Sequence, residues 1–400
     1  MYTPMAAGIY IHIPFCIKKC NYCDFFSKPV ADENIIKVYT KALLREIAFY
    51  GEKYGKQLDA DSIFFGGGTP SLMKPSFIAR IIESLEKNFC INGGAEITME
   101  CNPATADEEK LKEYRQAGVN RLSIGAQSFD DQVLEKLGRI HSSADVVQTV
   151  DLARKAGFDN INLDLMFAVP GLDGRKWRST VRQALKLNPE HLSFYSLELA
   201  EGTPFYQMAK NGTLEMTTAA ADRRMYRAVL NELEKAGYNH YEISNAALPK
   251  RECRHNLKYW RFDDYLGLGA SAHSFIRGVR FSNIADIKKY IRVMENQDMA
   301  RNGRLGESNA FGADCVNSFH VNTKRDSASE YTFTALRTKR GVILPDFAKK
   351  FSYEFWEMFY DARQEFEVFA RQGYAVSDSH HIALTKDGID ISNKIMALFV

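Results

Sequence analysis

Apolar residues recur along this chain in two alternating rhythms. Residues 8–13 (GIYIHI) alternate and are rich in isoleucine, which predicts a strand. Across 34–50, Ile35, Val38, Leu43 and Ile47 fall at helical spacing. The pattern then repeats. Strands are expected at 61–65, 95–100, 121–126, 160–167 and 191–199. Helices are expected at 76–89, 107–117, from 130, and at 144–156 and 176–187. Six strand-then-helix units imply parallel strands joined by helical crossovers. Periodicity does not separate an open barrel from a flat doubly wound sheet. Six units are too few for a closed eightfold barrel, and a partial (β/α)6 barrel is favoured. In barrels, chemistry gathers at the C-terminal ends of the strands.

The second part of the chain reads differently. A helix over 221–236 and a strand over 237–244 are expected, then a glycine- and aromatic-rich stretch at 254–274. Residues 302–329 turn polar, which suggests a linker. From 330 onward three helices, a β-hairpin and a short helix resemble a winged helix. The expected fold class is therefore α/β, a partial (β/α)6 barrel with a smaller C-terminal winged-helix-like α+β domain. The expected boundary divides 1–305 from 306–400.

Composition narrows the function classes. The chain has 400 residues, 45% hydrophobic and 26% charged, with net charge +2. Those values fit a globular protein and give no reason to expect a polyelectrolyte partner. No basic recognition stripe is visible, so nucleic acid is not an expected partner. No apolar run is long enough to cross a bilayer and no secretory signal is visible, so a cytoplasmic location is expected. The seven cysteines suit a reducing compartment. Cys90, Cys101, Cys253 and Cys315 are scattered and read as small buried hydrophobes.

The other three cysteines are not scattered. Cys16, Cys20 and Cys23 stand in a C-x3-C-x2-C pattern directly after the first strand. Structural zinc prefers four ligands, often in C-x2-C pairs, and a disulfide framework fits a small secreted chain. Three thiolates on a short loop suit three irons of a [4Fe–4S] cube, normally held by four cysteines. This spacing is the signature of radical S-adenosylmethionine (SAM) enzymes, in which SAM chelates the remaining iron. Cleavage of SAM to methionine and a 5′-deoxyadenosyl radical is then cofactor chemistry that the protein positions and shields.

Other polar residues fall at successive strand ends. Gly66-Gly67-Gly68-Thr69 follows the second strand, and glycines let a backbone approach a ligand closely. Glu100 ends the third strand, where a carboxylate suits ribose hydroxyls. Gln127, Arg139 and Asp164 follow at later βα positions. Singly each reads as a surface or capping residue; together they suggest a polar ligand shell. His255, in HNLKYW, reads as a hydrogen-bonded structural residue or as a haem axial ligand among aromatics. His273 is a weaker candidate, and His380-His381 reads as a solvated turn.

YIHIPFC, GGGTP, RLSIGAQSF, DLMFAVPG and GLGASAHS together resemble the coproporphyrinogen III oxidase-like radical SAM proteins over nearly the whole chain. That family holds an oxygen-independent oxidase, which decarboxylates two propionates, and a haem chaperone, which passes haem to haem-free proteins. Three features point to the chaperone branch. Phe25 stands where the oxidase has a fourth cysteine, nine residues precede Tyr10 in place of a longer arm, and HNLKYW matches the branch motif H-N-x-x-Y-W. The resemblance implies that Cys16, Cys20 and Cys23 ligate the [4Fe–4S] cluster. It implies that Tyr10, Gly67 and Glu100 contact the cluster-bound SAM. Tyr22, Gly68, Thr69, Gln127, Arg139 and Asp164 match positions that contact a second SAM in the oxidase. His255 matches the haem-linked histidine. The partners implied are haem, haem-accepting apoproteins, an electron donor and a second copy in a homodimer, with peripheral membrane association.

Overall fold

The computed structural model describes residues 5–30, 32–300 and 313–400, with 297–300 described by backbone alone. The six expected strands form as β1 (Met5–Ile13), β2 (Leu58–Gly67), β3 (Cys90–Cys101), β4 (Arg121–Gln127), β5 (Ile161–Phe167) and β6 (His191–Ser196). They run parallel in that order. β7 (Asn239–Glu242) and β8 (Asn245–Ala247) pair antiparallel beyond β6. On the other side of β1 lie β9 (Asp264–Leu268), β10 (His273–Ile276), β11 (Val279–Asn283) and β12 (Val316–Val321). The twelve strands make one sheet, in the order β12-β11-β10-β9-β1-β2-β3-β4-β5-β6-β8-β7.

The crossovers are α1 (Glu33–Tyr54), α2 (Pro75–Asn88), α3 (Glu108–Gln116), α4 (Asp131–Leu137), α5 (Ser143–Lys155) and α6 (Gly174–Lys186). α7 (Pro204–Lys210), α8 (Ala219–Lys235), α9 (Arg254–Arg261), α10 (Ile287–Ala300) and α11 (Lys324–Leu336) follow. α2 shows why these segments are helices. Pro75 starts it with a fixed φ, and Ile78, Ile81, Ile82 and Leu85 form one buried stripe. α5 starts on a capping box, in which Ser142 and Asp145 satisfy each other's backbone N–H. Truncating a fully buried side chain such as Leu85 to alanine costs about 2–5 kcal/mol.

Three expectations are corrected. β9 is a seventh parallel strand, paired with β1 from Ala7↔Asp264 to Ile11↔Leu268. The glycines that broke its pattern are there for space: a Cβ on Gly267 would lie 2.1 Å from the His273 carbonyl oxygen. The polar linker expected over 302–329 gives way, from Ala313 onward, to β12 and the start of α11, while 302–312 lies outside the described residues. The domain boundary expected at 305/306 also lies outside them. Finally, the helix expected over 356–372 is broken at Phe359, between Phe355–Met358 and Tyr360–Arg371. Phe359 leaves helical geometry (φ −118°, ψ 43°) with its ring buried against Phe355 and Phe399.

A large core lies between the sheet and its helices. A second core, from Ala328 to Phe399, is rich in phenylalanine and includes Phe347, Phe351, Phe355 and Phe366. Its hairpin, Ala375–Ser377 with His381–Leu384, and a third short strand at Val342–Ile343 complete the winged-helix-like α+β unit. The Ile243 N–H donates to Arg337 O and the Lys339 N–H to Tyr241 O, so this unit joins the sheet beside β7. Among the described residues no helix is long and apolar enough to cross a membrane.

Candidate functional site

The strand ends fix the site. β1 leads through Pro14 into the cysteine loop, whose base is closed by a short parallel ladder of Phe15–Cys16 with Lys28–Pro29. The Lys28 N–H donates to Pro14 O (2.9 Å) and the Val30 N–H to Cys16 O (3.0 Å). The loop tip is tied to α4, because Asn21 donates from its backbone to Leu137 O (3.0 Å) and from Nδ2 to Lys136 O (2.9 Å). His12 pairs through Nε2 with Phe26 O (2.8 Å) and through Nδ1 with the Tyr10 hydroxyl (3.1 Å). A side chain in the first strand thus anchors the end of the loop.

The triple glycine packs against the start of this loop. The Gly68 N–H donates to Ile13 O (2.8 Å) and the Thr69 N–H to Phe15 O (2.7 Å). A Cβ on Gly68 would lie 2.5 Å from Phe15 O, so glycine is required there by backbone proximity. Gly67 turns at φ 112° and donates its N–H to Glu100 Oε2 (3.0 Å). Burial, reinforced by Asp164, pushes the Glu100 carboxyl up to about 8.

The other predicted residues meet at the same place. Gln127, at φ 62°, accepts from the Tyr195 hydroxyl (2.8 Å). Arg139 donates from Nη2 to Gly125 O (2.8 Å) and from Nη1 to Cys20 Sγ (3.5 Å), and its Nε is buried without a partner. Asp164 accepts from Asn162 Nδ2 (2.8 Å) and the Ser123 hydroxyl (3.3 Å). Tyr22 is raised chiefly by burial, with Arg139 opposing. Cys16 is buried, Cys20 and Cys23 are half-buried, and all three are free thiols. The Thr69 hydroxyl points at Cys16 Sγ (3.7 Å), and burial pushes the Cys23 thiol up to about 11.

His255, on α9, lies under Tyr10 and Phe64 with ring centroids 6.3 and 5.3 Å away. Both its nitrogens are engaged, Nδ1 with the Ser62 hydroxyl (3.1 Å) and Nε2 with the Tyr259 hydroxyl (3.0 Å). Burial, then Lys258, pushes it down to about 3, so it is neutral. All thirteen residues that the resemblance assigns to the cluster, SAM or haem line a single cavity of about 1110 Å³. His273 is exposed and is not among its lining residues, and His381 pairs with Asp378. Cys101, Cys253 and Cys315 are buried as expected, but Cys90 is exposed.

Sequence reasoning missed the cavity floor and its far wall. Arg121, 1% exposed, lines that floor together with Ser123, Asn162 and Ser193. Polar residues facing inward along β4, β5 and β6 were the available signal. On the far wall stand Arg223 from α8, Arg337 after α11, and the stretch 389–394. No local pattern marks those residues.

Among the described residues, no group of three or more His, Cys, Asp or Glu side chains is placed to hold a metal ion. The cysteine set is of another kind: three free thiols on one cavity wall, beside a backbone cradle at Gly67-Gly68 and an incompletely bonded buried guanidinium. That donor set fits a thiolate-held iron–sulfur cluster with a polar, charged ligand beside it.

The family model for the radical SAM superfamily matches residues 10–184, and the fold and site define this class of protein. The class implies a [4Fe–4S] cluster and SAM. Across its whole length the chain is 33% identical to the protein named Heme chaperone HemW of Bacillus subtilis, covering 98% of both chains. It is 31% identical to the protein of that name in Lactococcus lactis, covering 98% of this chain and 96% of the relative. The chain belongs to the HemW family of radical SAM proteins. Its fold matches the solved structure of coproporphyrinogen III oxidase (HemN) from Escherichia coli, a radical SAM enzyme, with TM-score 0.84 and 22% identity, covering 100% of this chain and 91% of that one.

Proposed function

We propose that this chain is a haem chaperone that binds haem, a [4Fe–4S] cluster and SAM and delivers haem to haem-free proteins. The observation that carries this reading is one cavity whose wall joins the three-cysteine loop to His255 of HNLKYW. The name borne by its full-length relatives supports it. In this reading Cys16, Cys20 and Cys23 hold the cluster. Tyr10, Gly67 and Glu100 hold SAM beside it, with Glu100 oriented by the Gly67 N–H. Bound there, the cluster and SAM supply one-electron chemistry. The protein's own part is to shield that end and to hold Arg139 beside Cys20. Tyr22, Gly68, Thr69, Gln127, Arg139 and Asp164 form a polar shell able to take a second SAM. The chain works in the cytoplasm or at a membrane surface, and takes a reductant and a second copy as partners.

His255 contacts haem from the cavity wall. Iron ligation by its Nε2 requires release of the Tyr259 hydroxyl, so contact and ligation are separable. Anaerobic reconstitution followed by optical haem titration tests the reading. We expect saturable haem binding by wild type and weakened binding by His255→Ala. No haem binding by reconstituted wild type overturns it. The second reading, a decarboxylating oxidase, is favoured by the shared fold. Incubation with coproporphyrinogen III, SAM and a reductant yields vinyl product only under that reading.

A further inference from the structure

We propose that the far end of the cavity, walled by Arg223, Arg337 and Lys394, is an anion site that takes the propionate carboxylates of a bound tetrapyrrole. This inference rests on the haem-binding reading above and adds the element that orients the macrocycle. Arg337 is the centre of the site. Its guanidinium lies over the indole of Trp260, the last residue of HNLKYW, 4.5 Å from the ring centroid. Its Nε is buried without a hydrogen-bond partner. The carboxylate paired with it, Glu242, comes no closer than 3.9 Å, from Oε2 to Nη2. Burial pushes the Glu242 carboxyl up, with Arg337 opposing.

Two further cations share the wall. Arg223 lies over the Tyr226 ring, 4.9 Å from its centroid, and the Tyr226 hydroxyl donates to Ile243 O (2.7 Å), which fixes that surface. Asp222 and Asp390 draw on Arg223, the latter at 3.5 Å from Nη1, so it is the more neutralised of the two arginines. Lys394 closes the set from the C-terminal unit, next to Ser392 and Asn393. A guanidinium whose rear face is stacked and whose N–H fork is incompletely used is suited to bidentate carboxylate recognition. Haem is a flat apolar ring with two carboxylates on one edge. Phe64, partly exposed, lines the same cavity and suits the ring, while the cationic wall suits that edge. Carboxylates held at this wall turn the rest of the ring toward the interior of the cavity.

The test compares ferric haem with haem dimethyl ester, which keeps the ring and removes both charges. Each is titrated optically into the full-length, anaerobically reconstituted protein. Wild type is expected to bind haem about 10–100-fold more tightly than the ester, as charge-assisted pairs predict. Arg337→Gln is expected to lose about 10-fold for haem and to bind the ester unchanged, which collapses the preference. Lys394→Gln, at an exposed position, is expected to lose roughly 2–5-fold for haem alone. Equal affinity of wild type for haem and ester overturns the inference while leaving the haem-binding reading intact. Equal loss of both ligands in Arg337→Gln also overturns it, because damage to the wall is not loss of a carboxylate contact. Failure of wild type to bind either ligand overturns the reading beneath it. If Arg337→Gln does not fold, Lys394→Gln and the wild-type preference decide.

Discussion

At the cysteine-loop end of the cavity, backbone bonds carry most of the fastening; at the end walled by the C-terminal unit, ion pairs between side chains supplement two backbone bonds. The loop end is closed by a ladder, by backbone bonds from Gly68 and Thr69, and by Asn21 on α4. The far end joins through the backbone bonds at Ile243 and Lys339 and through ion pairs, Arg223 and Arg227 with Asp390 and Arg227 with Asp387. Backbone bonds packed against glycine leave little freedom, whereas ion pairs that are partly open to solvent add modest stability and rearrange more readily. A preorganised end suits a resident cofactor, and an adjustable end suits a ligand that must enter and leave.

Four substitutions test this contrast, from the largest effect down. Cys20→Ala should abolish cluster assembly, seen as loss of iron and sulfide after reconstitution, while haem binding at the far end persists. Loss of both would show that the two ends are not separable. Gly68→Ala should cost about 1–3 kcal/mol in urea unfolding, because its Cβ meets backbone that cannot move aside. It should also weaken the SAM-induced change in the cluster's magnetic resonance signal, and an unchanged signal would count against a rigid loop end.

The third concerns pH. His255 is pushed from 6.5 down to about 3 by burial. Below pH 6.5 the unfolded chain takes up this proton first. The stability present above that pH is therefore lost as pH falls toward 3, at about 1.4 kcal/mol per unit. His141 and His240, both pushed down to about 4, add slopes of the same sign. His255→Gln should flatten the acid limb by about 2 kcal/mol at pH 5, read from urea midpoints at pH 7.5 and 5. An unchanged slope would mean that the ring is solvated. The smallest effect is expected for Tyr226→Phe, which loses the bond to Ile243 O. It should cost about 1 kcal/mol and loosen only the far wall, measured by hydrogen exchange around Ile243.

Much of this was legible in the chain itself. Period-two and period-3.6 patterns placed six strands and their helices, because each buries one continuous stripe or run. The spacing of Cys16, Cys20 and Cys23 limited the chemistry, since a short loop keeps those thiols together however the rest folds. Strand ends marked Gly67, Glu100 and Gln127, because parallel strands deliver their C-terminal ends to one side, while Asp164 faces the same cavity from the middle of β5. β9 was missed because its glycines answer to contact with His273, a constraint with no local period.

Tertiary structure alone decided the rest. His255 reads as an available imidazole in HNLKYW, yet Ser62, far away in the chain, and Tyr259 occupy both its nitrogens. Arg337 reads as an ordinary residue at a helix end until Trp260 lies beneath it and Glu242 stops short of it. Periodicity records which face of an element is buried, and motif spacing records groups joined by a short tether. The charge state and free valences of a polar side chain depend on neighbours brought in from distant parts of the chain, and only the folded chain supplies those.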